Sequence, residues 1–253
     1  MPNDLSLLTC GNPGAALQNS ELGQILSHIQ STMDYVMTQI SWLSEQDGGR
    51  VSMFGPFLGR SLLELAATAL VGRLDPLRLL VVRQVQAQPG YDTEIPWKAS
   101  IRWQGDVLSG SKIQGLWGSA LEYEKVTKAL LGDYYDHLIW RPAVQYMLGG
   151  GSQGGGNWFA QLGAISPDSF VNRKRDEIGR LYSSLSKGIH HEFVLPPGSR
   201  YDRATVVDLV QRATHQIADI ALVSHFVAHA SASLSHADAL AAFNRFENVE
   251  VMK

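Results

Sequence analysis

Apolar residues recur at helical spacing along most of the chain. Between residues 20 and 47 they fall at Leu22, Ile25, Leu26, Ile29, Met33, Val36, Ile40 and Leu43. This alternation of threes and fours lays one side of a helix against a core. Ser20 is placed to cap that helix, with Glu21 in its first turn. Gly48 and Gly49 are expected to end it. A second helix is predicted over residues 57–74. Its segment 62–70 is apolar on nearly every side, which places it at the centre of the fold. Asp75 followed by Pro76 then starts a third helix through Leu77, Leu80, Val81 and Val85.

Residues 89–118 interrupt this pattern. Ile101, Trp103, Val107 and Leu108 alternate around Gly105 and Asp106, so the segment reads as irregular chain or a small β-hairpin insertion. Helical spacing returns over 121–148, with Pro142 as a kink or break. Residues 149–156, GGGSQGGG, read as a flexible loop. Ser166, Pro167 and Asp168 are a cap, a first-position proline and a first-turn acid, and they open a helix to about Lys187. The last long helix starts near Asp202 and carries Val206, Val210, Ala213, Ile217 and Ile220. A short one over 236–246 follows. Residues 1–19, with Gly11, Asn12, Pro13 and Gly14, read as an irregular arm. The fold class is therefore mainly α: a helical bundle of five to seven helices in one domain, 1–253.

Composition narrows the function classes. The chain has 253 residues, 45% apolar and 18% charged, with a formal net charge of -3. A surface that coats nucleic acid is usually strongly basic, so only a local basic patch is compatible with this balance. The single Cys10 rules out an intramolecular disulfide and a cysteine-rich zinc site. It fits a reducing, cytoplasmic compartment. The first twenty residues lack the basic start and apolar run of a signal peptide. No run of eighteen apolar residues occurs, so no membrane span is expected.

The densest chemistry lies in residues 180–193, where a helix ending at Lys187 and Gly188 leads into His190, His191 and Glu192. Continued as a helix, the segment brings Arg180, Ser184, Lys187 and His191 onto one face. A cation beside an imidazole holds a phosphate and favours the neutral ring. A neutral imidazole can take the proton of a ribose 2′-hydroxyl, chemistry that needs no metal and no cofactor. The plainer reading is that both histidines cap carbonyls at a helix C-terminus.

Tyr182, Leu185, Ser186, His190 and His191 resemble a motif of the HEPN superfamily. Arg60 and Glu64, four apart on the central helix, resemble the polar pair of its second helix. The likeness covers two helices, about a quarter of the chain. It implies a small helical bundle of a bacterial antiviral defence or toxin–antitoxin system. It further implies a metal-independent endoribonuclease acting as a dimer on RNA. In that reading His190 or His191 is the base, and Arg60, Arg180 or Lys187 steadies the phosphate. The family motif also sets an arginine four to six intervening residues before the histidine. Here those positions are Ser183, Ser184, Leu185 and Ser186. The departure opens the alternative of a non-catalytic subunit that binds a partner protein or nucleic acid in a larger complex.

Two further candidates stand apart. Arg173, Lys174 and Arg175, downstream of Trp158 and Phe159, form a local basic run suited to single-stranded RNA. Asp176 and Glu177 interrupt it, so an ordinary solvated face is the rival reading. His225 and His229, four apart on the last long helix, have a zinc-ligand spacing that His215, His236 and Glu192 could complete. This gives a third reading, a zinc-dependent hydrolase. Solvent exposure is the commoner fate of such histidines.

Overall fold

The computed structural model describes residues 3–12, 14–92, 94, 130–132, 135–149, 162, 164, 166–189 and 201–252. The chain is mainly α-helical, and no strand occurs among the described residues. Its helices are α1 (Asp4–Cys10), α2 (Gly14–Gln18), α3 (Glu21–Ser44), α4 (Gly48–Leu74) and α5 (Pro76–Gln86). After a π-helical turn, Asp136–Trp140, come α6 (Arg141–Gly149), α7 (Pro167–Ile189), α8 (Arg203–Ser224) and α9 (His236–Glu247). The hairpin expected around residues 101–108 lies outside the described residues, as does the glycine-rich loop after Gly149, which closes α6.

Helix α4 is the hub, packed most extensively on α8, α3 and α7. Two glycines admit these neighbours. A Cβ at Gly55 would overlap Val206 of α8, and one at Gly59 would stand 3.1 Å from Leu185 of α7. The close backbone approach lets Leu62, Leu63, Ala66 and Leu70 bury completely or nearly so in the next turns. α4 has the length and mean hydropathy, 1.2, of a membrane-spanning helix, yet 56% of that stretch is buried inside the fold. It is a core helix.

Three local expectations are corrected. Gly48 and Gly49 do not terminate α3; they begin α4. α3 ends at Ser44, and the Asp47 side chain accepts the Arg50 N–H at 3.0 Å, capping a new helix at once. α4 therefore starts nine residues before the expected Phe57 and runs through Pro56. The described part of the first nineteen residues is not an irregular arm, since 4–10 and 14–18 are helical. Asn3 caps α1, and Leu5 and Leu8 are fully buried against α3, α4, α8 and α9. Pro142 sits two residues after the end of a π-helical turn, where the i→i−4 pattern is already interrupted. Ser20, Pro167 and Asp202 start their helices as expected, and the Asp202 carboxylate accepts the Thr205 N–H at 2.7 Å.

Candidate functional site

The polar pair of the central helix lies on the seam between α4 and α7. Arg60 Nε donates to Glu64 Oε1 at 3.0 Å, and the Tyr182 hydroxyl donates to the same oxygen at 3.2 Å. The Arg60 guanidinium lies 4.9 Å from the centre of the Tyr182 ring. Burial, and then the charge of Glu64, pushes the Tyr182 phenol above its usual range. The three groups tie two helices together, and both charged side chains remain partly open to solvent.

α7 runs antiparallel to α4 along this seam. Leu185 meets Gly59, and a Cβ at Gly188 would fall 2.6 Å from the Pro56 ring. The described part of α7 ends at Ile189. His190, His191 and Glu192 lie outside the described residues. The helix thus delivers the chain that leads into them beside Pro56, one turn of α4 from Arg60. Lys187 is exposed at that end. Arg180 is exposed as well and pairs with Glu177 at 3.9 Å, two turns back from the helix end.

The basic run does not form one surface. Successive residues of a helix point about 100° apart, and the three cations go three ways. Arg173 is exposed. Lys174 is buried, paired with Asp219 of α8 and donating to Gln216 at 2.7 Å. The Arg175 guanidinium donates to the Leu131 carbonyl, with its Nε at 2.9 Å. Lys174 is therefore a core strut between α7 and α8 and is unavailable to RNA.

The histidines do not assemble into a metal site among the described residues. α8 stops at Ser224, so His225 is its C-cap and His229 lies beyond it; the four-residue helical spacing is not realised. His215 packs edge-on to Phe246 and meets Gln211. His229 and His236 are exposed. His225 is 2% exposed, and both its nitrogens are engaged. Nε2–H donates to the Leu8 carbonyl at 2.8 Å, while Nδ1 accepts from Leu234 N–H at 3.0 Å and from Arg73 Nη2 at 3.1 Å. Burial first, and then the charge of Arg73, lowers its pKa from 6.5 to about 2. It is a neutral structural histidine with no lone pair left for zinc.

Arg73, on the last turn of α4, is fully buried. It donates to the carbonyls of Leu8, Thr9 and Ser231 and to the hydroxyls of Ser224 and Ser233. No carboxylate pairs with it among the described residues. Desolvation lowers its pKa from 12.5 to about 10, so it stays a cation. The C-terminal ends of α1 and α8 converge on it, and their negative dipole ends partly offset the charge. Beside it, burial pushes the Cys10 thiol up to about 12, which makes it an inert core residue.

A cleft of about 670 Å³ opens on the outer side of this node, between the π-helical turn with α6 and the connection from α8 to α9. Its walls include Tyr146, Phe226, His229 and His236, with His225 and Ser233 behind. Phe226 and His236 stack with centroids 4.3 Å apart and planes 12° apart, and Tyr146 stands edge-on to His236. Reasoning from periodicity misses Arg73, Tyr146 and Phe226. The available signal is a charged residue in the otherwise apolar run from Ala66 to Leu74, which demands buried partners. No protein-family model, no curated protein and no solved structure matches the chain.

Proposed function

We propose that the chain is a HEPN-like helical subunit of a bacterial defence or toxin–antitoxin complex, which acts by binding a partner protein and does not itself cleave RNA. The observation that carries this reading is the engagement of three of the six nominated cations, while Arg173, Arg180 and Lys187 are exposed. Arg60 is held by Glu64 and Tyr182, Lys174 by Asp219 and Arg175 by Leu131. The positions that correspond to the family's arginine hold serines and a leucine. Exposed apolar side chains supply the binding capacity: Met53, Phe54 and Phe57 on α4, and Leu77, Val81 and Val85 on α5. The α5 residues recur every fourth position and make one stripe.

One observation favours the catalytic reading. α7 leads towards His190 and His191 from a point one turn of α4 away from Arg60. The test is co-expression with the products of neighbouring genes. A stoichiometric complex that Phe57→Glu or Val81→Glu dissociates supports the subunit. A chain that stays alone, and cleaves RNA in EDTA only while His190 and His191 are intact, rejects it.

A further inference from the structure

We propose that the cleft between the π-helical turn, α6 and the α8–α9 connection binds a small planar aromatic ligand that carries an anionic group. This goes beyond the subunit reading and does not rest on it, because the cleft shares no residue with the α4–α7 seam.

Size and shape come first. About 670 Å³ lies within the range of small-molecule sites and suits a ring with one substituent group. The lining then sets the chemistry of the ligand. Tyr146 is 58% exposed, and its ring, the Phe226–His236 stack and the side chains of Leu138 and Pro142 give the cleft an aromatic and apolar side, beside the polar groups of His229, Ser233 and Ser235. Exposed aromatic side chains in a concave site match a flat ring, which gains from edge and stacking contacts that an aliphatic chain cannot make. The π-helical turn that offers Leu138 and Ile139 is a departure from α geometry of the kind that recurs at functional sites.

The sign of the charge follows from what stands behind the wall. Among the described residues, no aspartate, glutamate, lysine or arginine lines the cleft. A cationic ligand would therefore meet no carboxylate there. Asp238 lies close by, but it accepts from Ser235 Oγ at 2.6 Å and is not part of the lining. Two full charges therefore stand next to the wall, and Asp238 is exposed and screened by solvent, whereas the Arg73 cation is fully buried and is screened far less. Arg73 Nη2 donates to His225 Nδ1 at 3.1 Å and to Ser233 Oγ at 3.3 Å, and both of these residues line the cleft. Arg73 touches no ligand; it acts through the orientation of His225 and Ser233 and through its field.

Titration calorimetry on the full chain tests the proposal with four probes: AMP, adenosine, benzoate and inorganic phosphate. AMP, benzoate or both should bind with a Kd below about 1 mM, a modest affinity for ligands of this size. Adenosine, which keeps the ring and loses the charge, and phosphate, which keeps the charge and loses the ring, should each bind at least about tenfold more weakly than AMP. AMP alone among the ring-bearing anions would identify a nucleotide; benzoate alone would identify an aromatic carboxylate. Tyr146→Ala and His236→Ala should each weaken binding about tenfold while far-ultraviolet circular dichroism and the urea midpoint stay unchanged, since both side chains are exposed. His28→Ala, exposed on α3 and outside the cleft lining, should bind as the parent does. The proposal is overturned if neither AMP nor benzoate binds, if adenosine binds as well as AMP, or if both cleft variants keep full affinity.

Discussion

Lowering the pH from about 7.5 to about 5 should destabilise this protein through His225 in particular. The folded state holds that imidazole neutral, with a pKa near 2, because protonation would bury a second positive charge against Arg73 and would turn Nδ1 from an acceptor into a donor facing two donors. In the unfolded chain the same group titrates near 6.5. The folded pKa is thus the depressed one. Its stabilising contribution is complete above pH 6.5 and is lost as the pH falls towards the folded value. Each unit below 6.5 costs about 1.36 kcal/mol, so the loss between about pH 7.5 and about pH 5 is about 2 kcal/mol. That figure barely depends on the folded pKa, provided it lies below about 4. His225→Gln keeps one donor and one acceptor but cannot titrate. Urea unfolding of both proteins at the two pH values isolates the effect, because the other seven of the eight histidines are common to both. Parent minus variant stability should fall by about 2 kcal/mol at the lower pH. A difference that moves by less than about 0.5 kcal/mol would show that His225 is not held neutral, and the account of the buried node would be wrong.

Arg73→Met should cost about 3–5 kcal/mol in the same assay, because it withdraws the donors that serve two helix ends and the 231–233 connection. An effect below about 1 kcal/mol would contradict its role as a buried tie. Tyr182→Phe should cost under about 1 kcal/mol, since Glu64 keeps Arg60 and remains partly solvated. A larger loss would mean that the seam depends on that hydroxyl. Gly11→Ala should destabilise by more than about 2 kcal/mol, because Gly11 has φ 71° and a Cβ there would overlap the Ala232 carbonyl that accepts from Asn12 N–H. A variant melting as the parent does would show that this turn relaxes freely.

What the sequence made legible was the long amphipathic stretches and their chemical starts. The burial of Leu22, Leu26, Met33 and Ile40 follows their spacing, and Ser20, Pro167 and Asp202 mark helix starts because their local chemistry is sufficient. The errors came where local signals competed. Gly48 and Gly49 look like a stop until Asp47 is seen to cap the helix that follows. α1 is seven residues long, too short for periodicity to register, and its burial comes from distant partners such as Arg73 and Asp34. The pairing of Arg60 with Glu64 was readable from a four-residue offset. The Lys174–Asp219 pair, 45 residues apart, was not, nor was the convergence of Arg73 on His225, 152 residues apart. The cleft aromatics come from the α6 region and the α8–α9 connection, and no local pattern joins them.

The most direct test of the subunit reading is incubation of the purified chain with single-stranded RNA in EDTA, alongside His190→Ala and His191→Ala. The account predicts no cleavage above background that either substitution removes. RNA cut by the parent and left intact by one of the two variants would contradict it and establish a metal-independent nuclease.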